Sequence, residues 1–170
     1  MNTQRILLCG FMGCGKTSVG QALSFRLRWD FLDTDEMIEK HEGRTIPQIF
    51  AEDGEEAFRA METETARQLE RRREVVISTG GGFLLREENR RIIRETPGTQ
   101  VVLLDCDFET CYQRIKNSSR PLVASNTKEQ LEELYHKRAA IYRQAATVVL
   151  RNRGIISEAV DEILHQVVIL

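Results

Sequence analysis

The residues with the clearest chemistry in this chain are Gly10-x4-Gly15-Lys16-Thr17. That spacing fits the phosphate-binding P-loop. Glycines let the backbone turn tightly enough for successive N–H groups to face phosphate oxygens. Lys16 can reach the β- and γ-phosphates, and the Thr17 hydroxyl is suited to ligate Mg2+. Gly13, Cys14, Gly15 and Ser18 complete the candidate cradle, with Cys14 contributing backbone rather than side chain. A helix starting near Lys16 aims its positive end at the same anion. A chance glycine-rich turn is the bland alternative. The apolar run Arg5–Cys9 before the loop and the helical stretch Ser18–Leu27 after it favour nucleotide binding.

Three further clusters carry candidate chemistry. Asp33-Thr34-Asp35 offers two carboxylates that could lean toward the phosphate loop, one holding Mg2+ through water and one receiving a proton from a hydroxyl. Asp35 is equally plausible as a helix N-cap. Ser78-Thr79-Gly80-Gly81-Gly82 exposes backbone N–H groups and admits close approach by a ligand, or is only a flexible turn. Glu55 and Arg59 stand at i, i+4 on a helix, as on a solvated face, although the same arginine could point into a site. The polar stretch 117–126 interrupts two helical runs and carries Arg120 beside Pro121. It reads as a solvent loop or as a mobile lid over the phosphates.

The elements that must position these groups alternate along the chain. Strands are expected at 5–9, 31–33, 74–79, 100–105 and 147–151, and helices at 16–28, 35–42, 47–72, 86–95, 107–117, 127–145 and 156–168. Val75–Ile77, Val101–Leu104 and Val148–Leu150 are continuous apolar runs, the pattern of central parallel strands covered on both faces. Strands separated by helices imply right-handed crossovers and a three-layer α/β/α domain with its ligand site at the carboxyl ends of the strands.

At 170 residues, the chain is expected to form one domain. Its 41% hydrophobic and 29% charged residues are ordinary for a soluble protein. A net charge of −2 gives no sign of a nucleic-acid or membrane partner, and no 18-residue apolar span occurs. The expectation is a cytoplasmic monomer. Cys9, Cys14, Cys106 and Cys111 form neither a CxxC pair nor a zinc spacing and are read as reduced. Cys9 and Cys106 are expected in the core, and Cys14 is expected to be open to alkylating reagents. His41, His136 and His165 sit on helical stretches without clustered partners, so packing or surface roles are expected for them.

Taken in order, Gly10-x4-Gly-Lys-Thr17, Asp33-x-Asp35, Phe58-Arg59-x-x-Glu62, Gly80-Gly-Gly82, Asn89-Arg90, Arg120-Pro-Leu122 and Arg138-x3-Tyr142 resemble the motif series of the shikimate kinases, over about residues 5–142. The resemblance implies a fold like the nucleoside monophosphate kinases, with a five-stranded parallel sheet of order 2-3-1-4-5. It also implies phosphoryl transfer from Mg·ATP to the 3-hydroxyl of shikimate, in chorismate and aromatic amino-acid synthesis. By position it assigns Lys16 and Thr17 to phosphate and Mg2+, Asp33 to Mg2+ through water, and Asp35 to the reacting hydroxyl. Arg59 and Arg138 fall to the substrate carboxylate, Gly81 with its neighbours Gly80 and Gly82 to backbone contacts, and Arg120 to the lid. Phe50 and Phe58 resemble the aromatic wall of the shikimate pocket, within a substrate-binding region at about 33–62. Ala139-Ala140 stand where the family often has a proline, and Val123 stands where a second leucine is usual. Residues 151–155, where an adenine loop is expected, match poorly and receive no assignment. A gluconate kinase, or a non-catalytic nucleotide-binding regulator, would share part of this pattern. The complete set Lys16, Thr17, Asp33 and Asp35 argues against the regulator.

Overall fold

The computed structural model describes residues 3–168. Strand β1 (Arg5–Cys9) enters the phosphate loop, and α1 (Lys16–Leu27) leaves it. Next come β2 (Asp30–Asp33), α2 (Thr34–Glu42), α3 (Ile46–Glu52) and α4 (Gly54–Leu69). The central part is β3 (Val75–Ser78), α5 (Glu87–Glu95), β4 (Thr99–Asp105) and α6 (Phe108–Ile115). The chain continues through α7 (Pro121–Ala124), α8 (Lys128–Ala145), β5 (Val148–Arg151) and α9 (Ile156–Val168). The strands pair in parallel in the order β2-β3-β1-β4-β5. That is the expected three-layer α/β fold and sheet order.

The apolar runs explain the middle of the sheet. β1 and β3 are buried along their whole length and join α1, α9 and the apolar faces of their neighbours in one core. β5 departs from expectation. It is the edge strand, its residues alternate between buried and exposed, and Val149 is 43% exposed. A run of three apolar residues does not distinguish a strand covered on both faces from an edge strand covered on one.

The expected helix 47–72 is two helices. The Thr45 hydroxyl accepts from Gln48 N and the Gln48 side chain answers at Thr45 N, a capping box that starts α3 with Pro47 in its first turn. Asp53 closes α3, and Gly54, at φ 83°, turns the chain into α4. A left-handed φ is open to glycine at little cost. The break folds α2, α3 and α4 around a second small core of Ile38, Ile49 and Phe58, against which Phe50 packs. The stretch 117–126 likewise holds a short helix, α7, with Pro121 at its start and no fully buried residue.

Arg5 ties the amino end of the sheet together. Its buried guanidinium donates to Leu69 O (3.1 Å), Glu70 O (2.6 Å) and Pro97 O (2.9 Å), taking up carbonyls at the end of α4 and in the turn before β4. All four cysteines are reduced and buried. Cys14 is therefore not open to alkylation: its thiol packs beneath the loop against Gly10 and lies 3.7 Å from Lys16 Nζ. His41, His136 and His165 are exposed. Among the described residues no helix is long and apolar enough to cross a membrane.

Candidate active site

Two cavities open at the carboxyl ends of the strands and meet. The first, about 420 Å3, is lined by Gly13, Gly15, Lys16, Thr17 and Ser18 of the loop and by Asp33. The second, about 330 Å3, lies between the loop and the α2–α3–α4 unit, with Phe50, Phe58, Arg59, Glu62 and Arg138 in its walls. Met12, Asp35, Gly80, Gly81 and Arg120 line both. The series of candidates scattered along the chain is brought to one place, and Asp35 stands at the junction.

The loop gathers its own cation. Lys16 is buried, and its ammonium donates to Gly10 O (2.8 Å) and Phe11 O (3.1 Å). Gly10, Gly13 and Gly15 all have positive φ, which the loop's curvature requires. Thr17 at the start of α1 is exposed, and its hydroxyl donates to Asp33 Oδ2 at 3.4 Å. Asp33 also resolves the N-cap question. Asp33, not Asp35, caps α2, its Oδ1 accepting from Asp35 N (2.9 Å) and Glu36 N (3.4 Å). That bond fixes one carboxylate oxygen and leaves the other beside Thr17.

Asp35 is thereby freed from capping, and its side chain packs on the backbone of Gly80. A Cβ there would collide with Oδ1 of Asp35. Oδ1 is shut off from solvent and lacks a hydrogen-bond partner among the described residues. Burial, reinforced by the carboxylates of Asp33 and Glu62, pushes the Asp35 carboxyl up to about 7. A carboxyl poised near neutral pH on a side chain that lines both cavities is suited to receive or hold a hydroxyl proton.

The basic side of the second cavity comes from two helices far apart in the chain. Arg59 on α4 donates to Glu62 Oε2 (2.8 Å) and Glu55 Oε1 (3.0 Å) and lies against Gly82, where a Cβ would strike its guanidinium. It therefore satisfies both sequence readings, pairing on a helix face and lining a site. Arg138 on α8 is buried, its Nε has no partner among the described residues, and its Nη1 sits 3.4 Å from where a Cβ on Gly81 would be. Tyr142, one turn further on, donates to Gly81 O. The wall is aromatic, Phe50 and Phe58 lying with ring centroids 4.9 Å apart.

Sequence reasoning left three contributors without a role. Glu62 was visible in the Phe58-Arg59-x-x-Glu62 motif; it is buried, and Oε1 has no partner among the described residues. Burial raises its pKa. Arg114 on α6 donates to Gly13 O at 2.9 Å, and Asn152, just past β5, donates to Cys14 O at 2.7 Å. Both line the first cavity. Neither belongs to a local pattern.

A phosphate loop after β1, joined at the Asp35 carboxylate to a second cavity with Arg59 and Arg138 in its walls, defines a P-loop phosphotransferase acting on a small molecule. The family model described as shikimate kinase matches residues 12–168. The chain is 40% identical over 164 residues to the shikimate kinase of Pelotomaculum thermopropionicum, spanning 95% of this chain and 94% of that protein. It superposes with TM-score 0.91 on shikimate kinase from Acinetobacter baumannii in complex with shikimate, at 36% identity, covering 97% and 93% of the two chains. This chain belongs to the shikimate kinase family. A gluconokinase from Sinorhizobium meliloti matches at TM-score 0.59 and 18% identity, a likeness of fold alone.

Proposed function

We propose that this protein transfers the γ-phosphoryl group of ATP to the 3-hydroxyl of shikimate, giving shikimate 3-phosphate and ADP. It does so as a monomeric single-domain enzyme of the cytoplasm. The observation that carries the reading is the meeting of the two cavities at Asp35, Gly80 and Gly81, so that a donor in one and an acceptor in the other touch only there.

The triphosphate takes the first cavity. Loop N–H groups and the α1 terminus receive it, and Lys16 exchanges the carbonyls of Gly10 and Phe11 for phosphate oxygens. The Thr17 hydroxyl and Asp33 Oδ2, the oxygen not engaged in the cap, are hard oxygen donors and fit Mg2+ directly or through water. When bound there, Mg2+ would neutralise charge on the β- and γ-phosphates. Shikimate takes the second cavity, its ring against Phe50 and Phe58 and its carboxylate held by Arg59 and Arg138. Arginine suits that task because its planar fork binds carboxylate through two hydrogen bonds. Glu62 anchors Arg59 from behind and leaves Arg138 the freer cation. Gly80 and Gly82 let Asp35 and Arg59 close on the backbone, and Gly81 lines both cavities.

Chemistry then follows from placement. The Asp35 carboxylate, which lines both cavities, accepts the 3-hydroxyl hydrogen bond and aims the oxygen at the γ-phosphorus; loose phosphoryl transition states ask little more of a base. Arg120 lies over the junction, where it would meet the charge of the transferring group and help to exclude water. Coupled ADP release with a panel of shikimate, its methyl ester and gluconate tests the reading. Turnover should require shikimate, with the ester and gluconate poor. Equal rates for gluconate and shikimate would overturn it.

A further inference from the structure

Asn152 reaches across the molecule to the phosphate loop. It follows the edge strand β5, within the segment 151–155 that matches the family pattern poorly, yet it is buried and held at three points. Its backbone N–H donates to Asp105 O at 2.9 Å, fixing it to the end of β4. Its Oδ1 accepts from Gly154 N at 3.0 Å, where Gly154 turns the chain at φ 91°. Its Nδ2 donates to Cys14 O at 2.7 Å. The two side-chain bonds lock the amide orientation, since a flipped amide would set oxygen against the Cys14 carbonyl and NH2 against the Gly154 N–H.

A trans peptide points its C=O and N–H in opposite directions. With the Cys14 carbonyl held by Asn152, the N–H of Gly15 must point away from Asn152, and Gly15 lines the first cavity. Gly15 itself, at φ 97°, has no side chain to enforce that orientation, and a peptide flanked by glycine swings readily. The preceding peptide is held in the same way: Arg114 takes Gly13 O at 2.9 Å, and the Cys14 N–H turns inward to Phe11 O at 3.2 Å.

We propose that Asn152 is a positioning residue for phosphate binding, fixing the Cys14–Gly15 peptide so that the Gly15 N–H is presented to the triphosphate before it arrives. The inference rests on the reading of the first cavity as the ATP site. Preset donors bind an anion without the cost of ordering the loop on contact. Asn152 thus acts on the phosphates through Cys14, independently of the base.

The test uses Mg·ATP and Mg·tripolyphosphate, the second having phosphates and no base or ribose. Asn152→Asp keeps the shape and the acceptor for Gly154 but loses the donor to Cys14; Asn152→Ala loses both. Calorimetric Kd values and the thermal midpoint of each apo protein are measured at pH 8, and the Asp variant is measured again at pH 5.5. Both variants should bind both ligands about tenfold more weakly at pH 8, with shikimate KM changed less than twofold. The loss in Asn152→Asp should shrink at pH 5.5 relative to wild type, because a protonated carboxyl donates again. Weaker ATP binding with unchanged tripolyphosphate binding would make Asn152 a base or ribose contact and overturn the inference. Unchanged binding of both, with or without a lower midpoint, would make it structural only and overturn it too. Failure of wild type to bind either ligand would instead strike the ATP reading itself.

Discussion

Gly80 lies so close to the carboxylate of Asp35 that no side chain fits between them. The same holds for Gly82 and the guanidinium of Arg59. Each glycine therefore guards the position of a different functional group, and alanine at either site displaces the flexible end of a side chain rather than the backbone. Gly80→Ala should lower kcat by about a hundredfold, since a misplacement near 1 Å has that effect, and leave shikimate KM within a few fold. Gly82→Ala should act mainly on shikimate KM. Steady-state kinetics of the two variants, with thermal midpoints close to wild type, check the pair; matching kinetic losses in both would deny the division of labour.

Asp35 makes a prediction about pH with a definite sign. Its carboxyl holds a proton up to about 7 when folded, well above the ordinary value near 4. The folded protein thus binds more protons than the unfolded chain between those values, and stability tied to this group, complete below about 4, is lost as pH rises through about 7. Asp35→Asn never carries the charge, so its thermal midpoint should exceed that of wild type at pH 8, with the gap closing toward pH 5. Its kcat should collapse at every pH. In wild type, kcat/KM should climb to a plateau above about 7, because the ionised form takes the hydroxyl proton. A variant less stable than wild type at pH 8 would contradict the buried, proton-hungry carboxyl.

Arg138 tests the clamp. Arg138→Lys keeps a cation and loses the fork, so shikimate KM should rise about tenfold, or about 1.4 kcal/mol, while ATP KM stays nearly constant. Wild type should strongly prefer shikimate to its methyl ester, and the variant should discriminate less. Indifference of wild type to esterification would remove the carboxylate contact from the account.

The segment 117–126 should respond to both ligands together. Arg120, Pro121 and Leu122 line the second cavity, but α7 has no buried residue to hold it down. Hydrogen exchange across the segment should slow in a ternary mixture with a non-hydrolysable ATP analogue and shikimate, and change little with either alone. Identical exchange in the free and ternary states would leave α7 a fixed wall rather than a lid.

Much of this was legible in the sequence because the decisive features are local. The loop spacing, the strand before it and the helix after it lie within a single stretch, and Asp33 and Asp35 follow β2 directly. The sheet order came only with the family resemblance, since five short apolar runs alone do not specify it. What escaped depended on contacts between distant segments. The division at Asp53-Gly54 hid inside a continuous helical pattern, and one glycine at φ 83° decided it. Cys14 looked open because it lies in a loop, but its thiol points beneath that loop. β5 reads like a central strand and lies at the edge. Asn152 has no signal of its own, since its partner carbonyl is set by the turn of a loop nearly the length of the chain away.

The central claim is that the two cavities exchange a phosphoryl group at Asp35. Phosphorus NMR of one incubation of wild type with Mg·ATP and shikimate tests it most directly, read beside Asp35→Asn and a control without shikimate. The account predicts a new phosphomonoester resonance coupled to the proton on carbon 3, formed in step with ADP, nearly absent with Asp35→Asn and absent from the control. Free phosphate as the main product, a monoester on another hydroxyl, or undiminished turnover by Asp35→Asn would contradict it.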